Sequence, residues 1–553
     1  MIGKSTLALG LGLCLLPAVA PAGEWPQFRG PHSDGVAAEA PLPALWGADK
    51  NVRWKAKVPG VAWSSPVIWG DKVFVTTAVT DNQRKPPQGG GFGGPGGPGF
   101  PGGPGGPGRG GFGGPGMFAP PGQLLPPFLQ DRLNLTAEQK KQLEALQKEA
   151  DGRLDKVLTD EQRKQYKDMR QGFGRGGPGG RGGFGPGGFG GGRPPDVVYR
   201  WQVYCLDRAT GKVLWQQVAR EGKPRVAIQQ SNTYATETPV TDGERVYAYF
   251  GMHGLFCYDV AGKLLWKKDL GAYPTSMGHG PASSPVLDGG RLFVQVDNEE
   301  KSFLVALDTK TGKELWRADR AERTNHSSPV VWQNKSRKEL VLGGQKVRSY
   351  DPATGKLLWE LSAGGRCTAT PVGDAERLYV GSEAGFGGFG GGPGGGGGGF
   401  GGGGGGALFA VRAGASGDLT LKEGDTSNAG VAWSLPRGGV EKASPLVYQG
   451  RLYVLRQNGI LACYDAATGE EVYRQRIPGA GAFWASPLAG DGKLFCLDER
   501  GTTHVIQAGP KFKVLGKNGI DEMFWATPAV ADGALFLRGV DHLYCIQAKG
   551  AEK

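Results

Sequence analysis

The sequence predicts an all-β protein, and three observations carry that prediction. First, Ser or Thr followed by Pro and an apolar residue opens a strand-like run at Ser65, Thr238, Ser284, Ser328, Thr370, Ser444, Ser486 and Thr527. Second, five of the seven steps between these eight copies are 41 to 46 residues long, the period of one supersecondary unit that buries its apolar faces only against its neighbours. Third, each unit holds short runs rich in β-branched and aromatic residues, bounded by turn residues, with no long helical period. Four antiparallel strands per unit and eight units predict an eight-bladed β-propeller.

The third copy shows the elements in order. After Ser284-Pro285-Val286 come a turn at Asp288-Gly289-Gly290, then Leu292 to Val296, Phe303 to Asp308, and Glu314-Leu315-Trp316. Between the third and fourth strands lies the loop Asp308 to Lys313, where the Asp carboxylate can fold onto backbone N–H groups and Gly312 can take a positive φ. The loop recurs at Asp207 to Gly211, Asp351 to Gly355 and Asp465 to Gly469, and in shortened form at Asp259 to Gly262. The aromatic that follows each is expected to anchor one blade on the next. Proline at the start of each first strand suits a channel-lining strand with one unpaired edge. The last unit ends without a Trp-bearing fourth strand, and Asn51 to Ala56 has that strand's pattern, so an N-terminal strand is expected to close the ring.

The expected organisation is a signal peptide at 1–22, the closing strand and first blade at 23–87, and further blades at 196–384 and 407–553. Gly/Pro-rich insertions at 88–116 and 171–195 and a poly-Gly loop at 385–406 are expected to be disordered, because they cannot bury enough apolar surface to offset chain entropy. Residues 117–170 are expected to form a short helical insertion, since Thr136 and Thr159 each precede a Gln by three residues in the manner of a capping box. Leu143, Leu146, Ala150, Leu154 and Val157 would share one side of the first helix. The two Leu-Thr-x-x-Gln phrases resemble the LTxxQ signature of the Spy and CpxP periplasmic stress proteins, over this segment only.

Lys4 followed by an apolar stretch from Leu7 to Leu16, too short to span a bilayer, and Ala20-Pro21-Ala22 before Gly23 predict a cleaved secretory signal. The expectation is a periplasmic or secreted, non-lipidated chain without a transmembrane segment, most simply a monomer. Cys205, Cys257, Cys463 and Cys545 fall on one third-strand slot in different blades, too far apart for disulfide geometry, and read as small core residues. The net charge of +12 is spread without a Lys/Arg run, which argues against a nucleic-acid partner.

The Asp-x-x-Thr-Gly-Lys-x-x-Trp phrase, the eight copies and the signal resemble the PQQ-like propeller superfamily. Trp25 to Pro31 and Trp63 to Pro66 further resemble exported planctomycete-type members. The resemblance implies one of two activities: a scaffold like the outer-membrane protein assembly propeller, without cofactor, or a quinoprotein oxidoreductase acting on alcohols or sugars with PQQ and calcium. The adjacent Cys-Cys pair typical of the alcohol-oxidising members is absent, and no catalytic or metal-binding residue is carried over. The expected function is a binding or scaffold module of the cell envelope, taking a protein, peptide or glycan partner.

Any ligand should bind where the starts of the eight inner strands converge. The residues just ahead of the Ser/Thr-Pro phrases are Trp63, Glu237, His279, Asn325, His326, Arg366, Glu441, Lys442, Trp484 and Trp525. Tryptophans among cations and carboxylates would sandwich a planar anion or hold a peptide or glycan; alternatively they plug the channel mouth.

Overall fold

The computed structural model describes residues 23–37, 41–48, 50–81, 135–163, 194–229, 231–383 and 406–548, with a few isolated positions beside them. The signal segment and the glycine-rich insertions lie outside the described residues, apart from Pro194, Pro195 and Gly406. Eight separate antiparallel sheets of four strands each follow one another along the chain, one of them extended by a fifth strand. The first blade runs Val67–Trp69, Lys72–Val79, Tyr199–Asp207 and Val213–Gly222, and the third runs Val286–Asp288, Arg291–Val296, Ser302–Asp308 and Glu314–Arg320. The eighth blade is Ala529–Ala531, Ala534–Arg538 and His542–Ile546, completed by Val52–Lys57 antiparallel to the last of these. The ring therefore closes with a strand from the opposite end of the chain, as its sequence pattern predicts.

Two devices join the blades, and both use residues at fixed places in the repeat. At the outer strands, Trp54, Trp215, Trp266, Trp316 and Trp433 each reach into the Asp-to-Gly loop of the following blade. Their Nε1–H groups donate to Arg208 O, Val260 O, Thr309 O, Pro352 O and Ala466 O at 2.8 to 3.3 Å. The loop glycine lies directly under the indole. At Gly211, with φ +72°, an added Cβ would stand 2.6 Å from the Trp54 ring, and Gly262, Gly312, Gly355 and Gly469 repeat this against the next four tryptophans. Glycine is thus required twice, for the left-handed turn and for the ring above it. The loop Asp does what its position predicts: Asp207 Oδ1 accepts from Thr210 N–H and Oγ1–H at 2.8 and 2.6 Å.

Around the channel the Ser/Thr hydroxyls form a second girdle. Ser65 N–H donates to Thr238 Oγ1, Thr238 N–H to Ser284 Oγ, Ser284 N–H to Ser328 Oγ, and so on through Thr370, Ser444, Ser486 and Thr527, at 3.0 to 3.2 Å. Each inner strand thereby hangs on the hydroxyl of the next blade. The eighth link is missing: Ser65 Oγ is buried and has no partner among the described residues, so Thr527 N–H does not donate to it. Removing an acceptor from a buried N–H costs about 1–3 kcal/mol, whereas removing an unused hydroxyl costs little. Ser284→Ala should therefore lower stability in denaturant titration by about that amount, and Ser65→Ala should be nearly neutral. Equal losses in the two variants would mean that the girdle is continuous.

The segment Glu24 to Ala37 does not belong to a blade. Trp25 bridges Ile68 of blade 1, Pro26 O accepts from Thr241 N–H of blade 2, and Gln27 Oε1 accepts from Leu287 N–H of blade 3. Arg29, fully buried, donates to Pro445 O of blade 6 at 2.6 Å, and Gly35 O accepts from Ala489 N–H of blade 7. Touching blades on both sides of the ring, the segment crosses the axis at the end where the inner strands finish.

All six cysteines of the described residues are free and buried. Cys205, Cys257, Cys463 and Cys545 pair directly with Trp215, Trp266, Tyr473 and Trp54, the slot that Ala306 fills opposite Trp316. Burial pushes the Cys205, Cys257 and Cys545 thiols up to about 12, which fits small core residues rather than reactive thiols.

A second compact unit, 99–185 with 397–402, contains the helix Ala137–Val157. Its capping box is complete: Gln139 N–H donates to Thr136 Oγ1 and Thr136 N–H to Gln139 Oε1. Thr159 and Gln162 exchange the same pair of bonds, opening a second helical stretch. The expected apolar side is not uniformly covered, since Leu146 is 56% and Val157 79% exposed.

Candidate functional site

Because the inner strands all start at one end of the ring, the residues ahead of the Ser/Thr-Pro phrases gather at one mouth. The second strand of each blade runs antiparallel to the first, so its last residues come to the same place. These are positions that the first-strand phrase does not mark. They bring in Gln295, Asp297, Glu383 and Glu499, and the repeat offered a signal for them: a polar residue four or six places after the second-strand Arg or Lys.

At blades 7, 8 and 1 the three tryptophans meet. Trp484 stacks on Trp525 with ring centroids 4.1 Å apart and planes 18° apart, and Trp525 stacks on Trp63 at 4.8 Å and 25°. Val61, Met523 and Val540 complete a small apolar cluster around them. Trp63 Nε1–H donates to Ser231 O at 3.0 Å and Trp484 Nε1–H to Glu499 Oε2 at 3.2 Å. Trp63 and Trp525 are buried, and Trp484 keeps part of its surface in solvent. The rings sandwich one another, which leaves no slot between them for a planar ligand. What they offer is the free surface of Trp484.

Across the mouth, blades 3 to 6 contribute cations and imidazoles. His279 and His326 face each other edge to face at 5.7 Å, each tied to a backbone carbonyl: His279 Nδ1 to Ser276 O at 2.7 Å and His326 Nε2 to Gly280 O at 3.1 Å. Burial, with the positive charges of Lys442 and Arg366 nearby, holds both imidazoles below their ordinary range, His326 at about 4. Both are neutral at pH 7. Lys442 Nζ pairs with Glu383 Oε1 at 2.8 Å. Burial alone would raise the Glu383 carboxyl, but Lys442 and Arg366 hold it low and charged.

The remaining three residues do not stand free at the rim. Glu441 Oε2 accepts from Gln457 N–H at 2.9 Å. Asn325 is buried, its Nδ2 donating to Gly343 O at 2.8 Å. Glu237 is buried beside Gly251, where an added Cβ would lie 2.7 Å from Glu237 Oε1, and burial pushes its carboxyl up to about 8, so it is protonated at neutral pH. Glu237 therefore supplies no charge to the mouth. The mouth divides into a self-packed aromatic sector and a polar sector holding Arg366, the Lys442–Glu383 ion pair and two neutral imidazoles.

The family described as outer membrane protein assembly factor BamB matches residues 200–387 and 394–510, together more than half of the chain. The chain belongs to this family. Among curated proteins none matches the sequence. Of solved structures, BamB from Moraxella catarrhalis is similar at 13% identity and a TM-score of 0.44, covering 66% of this chain and 94% of that one. Quinohemoprotein alcohol dehydrogenase from Comamonas testosteroni is similar at 12% identity and 0.43, covering 65% and 74%. The computationally designed Ika8 protein is similar at 12% and 0.41, covering 64% and 95%.

PQQ and a calcium ion, which the resemblance to the PQQ-like superfamily implies as the alternative, require a planar slot and a cluster of oxygen ligands. The residues present do not fit them. The tryptophan faces are closed on each other, and among the described residues no three His, Cys, Asp or Glu side chains come together in a way that would hold a metal.

Proposed function

We propose that this chain is an exported propeller that serves as a binding or scaffold module of the cell envelope, presenting its funnel mouth to a protein, peptide or glycan partner. The observation that carries the reading is the Trp63, Trp525 and Trp484 stack. It is built by the protein's own contacts, so Trp484 is a preformed aromatic surface whose ordering cost is met before any partner arrives. Arg366, beside the Lys442–Glu383 ion pair, adds positive charge, which suits a partner segment combining an apolar or aromatic anchor with a carboxylate. Membership in a family described by an outer membrane protein assembly factor supports the scaffold reading, and the sequence of residues 1–22 supports export. No helix among the described residues is long and apolar enough to cross a membrane.

Two measurements test this together. Capture from cell-envelope extract should retain a defined partner, and Trp484→Ala should weaken its binding by about 1–3 kcal/mol, roughly five- to 150-fold. In parallel, protein reconstituted with PQQ and calcium should reduce no dye with alcohols or aldoses. Turnover accompanied by a quinone absorbance band, or capture indifferent to Trp484, would overturn the proposal.

A further inference from the structure

Arg538, the last residue of the second strand of blade 8, is fully buried, and its Nε, Nη1 and Nη2 all lack a hydrogen-bond partner among the described residues. Burial pulls the guanidinium down only to about 10, so it stays a cation at neutral pH. Blade 3 shows how this fold matches such a group. There Arg320 holds Asp297, with Nε to Oδ1 at 2.9 Å and Nη2 to Oδ2 at 3.1 Å, and neither side chain is exposed. Strand register sets Phe536 opposite Ala529 in blade 8 as it sets Phe293 opposite Val286 in blade 3, so the place of Asp297 falls to Val540. Blade 8 lacks the carboxylate that its repeat position would supply.

Two carboxylates act on Arg538 from a distance, and both are committed elsewhere. Glu522 Oε1 accepts from His542 N–H at 2.9 Å, while its Oε2 lies 2.9 Å from His542 Nδ1 and accepts from Tyr544 Oη–H at 2.6 Å. Asp541 pairs with Lys85 at 2.5 Å.

Arg538 faces the seam where the ring closes, for its charge acts on Tyr204 of blade 1. The Tyr204 hydroxyl donates to Gln202 Oε1 at 3.0 Å and has no proton left to settle on. Carried two residues further, the register of the inner strands sets Arg538 opposite Thr527, where the hydroxyl girdle breaks off before Ser65. Two residues ahead of Thr527, Trp525 Nε1–H is buried and unpartnered as well. A guanidinium and an indole N–H thus lie at one seam, donors without an acceptor.

Water accepts hydrogen bonds but leaves the charge, and a buried charge with no opposite one costs more than an unmade hydrogen bond. One positive charge is met by one negative charge; a dianion would restore the imbalance with the opposite sign. Val61, Trp63, Met523 and Val540 pack around Trp525, apolar walls that disfavour a strongly hydrated ion. From the unmatched guanidinium, the unpartnered indole N–H and the missing carboxylate, we infer that the seam between blades 8 and 1 binds a small monovalent anion of the halide class. Arg538 and Trp525 Nε1–H hold it, and it takes the part that Asp297 plays in blade 3. The inference is independent of the scaffold reading and needs no partner at the mouth.

The test is thermal and denaturant unfolding of the full chain, with chloride replaced by gluconate at constant ionic strength. Above its dissociation constant, each tenfold rise in chloride should lower the unfolding constant about tenfold, and bromide should act likewise. Trp525→Phe, which keeps the ring and loses the N–H, should raise the chloride needed about tenfold. Arg538→Met should abolish the chloride dependence. A crystal of the unmodified protein grown in bromide, which does not rely on any variant folding, should show an anomalous peak against the Arg538 guanidinium. Unfolding indifferent to the exchange of chloride for gluconate, chloride dependence that survives Arg538→Met, or a guanidinium met by ordered waters alone in the bromide crystal would each overturn the assignment.

Discussion

Deleting residues 23–58 should abolish the single cooperative unfolding transition of the propeller. The deletion removes the strand Val52–Lys57, which pairs along His542 to Ile546, and with it Trp54, whose ring covers Gly211 of the first blade. It also removes buried Trp25, Leu42, Trp46 and Val58, and the Arg29 bond to Pro445. Large buried side chains contribute about 1.5–3 kcal/mol each, so these losses together rival the whole stability of an ordinary domain, about 5–15 kcal/mol. The truncated protein also exposes a sheet edge on blade 8 and should self-associate. A cooperative melt at the wild-type temperature would show that the ring does not need its N-terminal strand.

Arg320→Met should destabilise the protein by about 3–5 kcal/mol, the cost of leaving one partner of a buried ion pair unmatched. Asp297 and Arg320 are both fully inaccessible, and Arg320 also donates to Gly343 O at 3.0 Å, so no solvent can replace the lost guanidinium. The double variant Asp297→Leu/Arg320→Met should be more stable than Arg320→Met alone, because no charge is stranded. The pH dependence has a definite sign. Burial raises the Asp297 carboxyl even with Arg320 present, and without Arg320 it rises further. A carboxyl whose folded pKa lies above its unfolded value contributes most below the unfolded value, so the variant should lose stability as pH rises from about 4. A loss under about 1 kcal/mol, flat with pH, would mean that water reaches the pair.

The parts of this fold that were legible in the sequence are those in which one residue type answers one local need, repeated. The Asp-to-Gly loops, the Trp that follows them and the Cys or Ala opposite that Trp could be read from a single repeat, because turn geometry and strand register fix them. The Ser/Thr of the repeat was visible yet only half explained: an edge strand accounts for the proline, while the hydroxyl serves the neighbouring blade, a need that one repeat cannot show. The mouth was legible as a position and not as an arrangement. Trp63 and Trp525 come from the two ends of the chain, so their stacking depends on ring closure. Nothing local in Glu237 or Asn325 distinguishes a buried side chain from one at the rim. Gln295 escaped notice because it lies at the end of a second strand, whose nearness to the mouth follows from antiparallel pairing.

The segment from Trp25 to Val36 has a bearing on traffic. With Arg29 buried between the blades, the backbone around it bonded to blades 1, 2 and 7 and the Gln27 side chain to blade 3, the far end of the channel has a floor. Whatever comes to the mouth must leave by the mouth. A polymer cannot be threaded through this ring and drawn out below, so an extended partner is held only by an end or by a bend that dips into the cup.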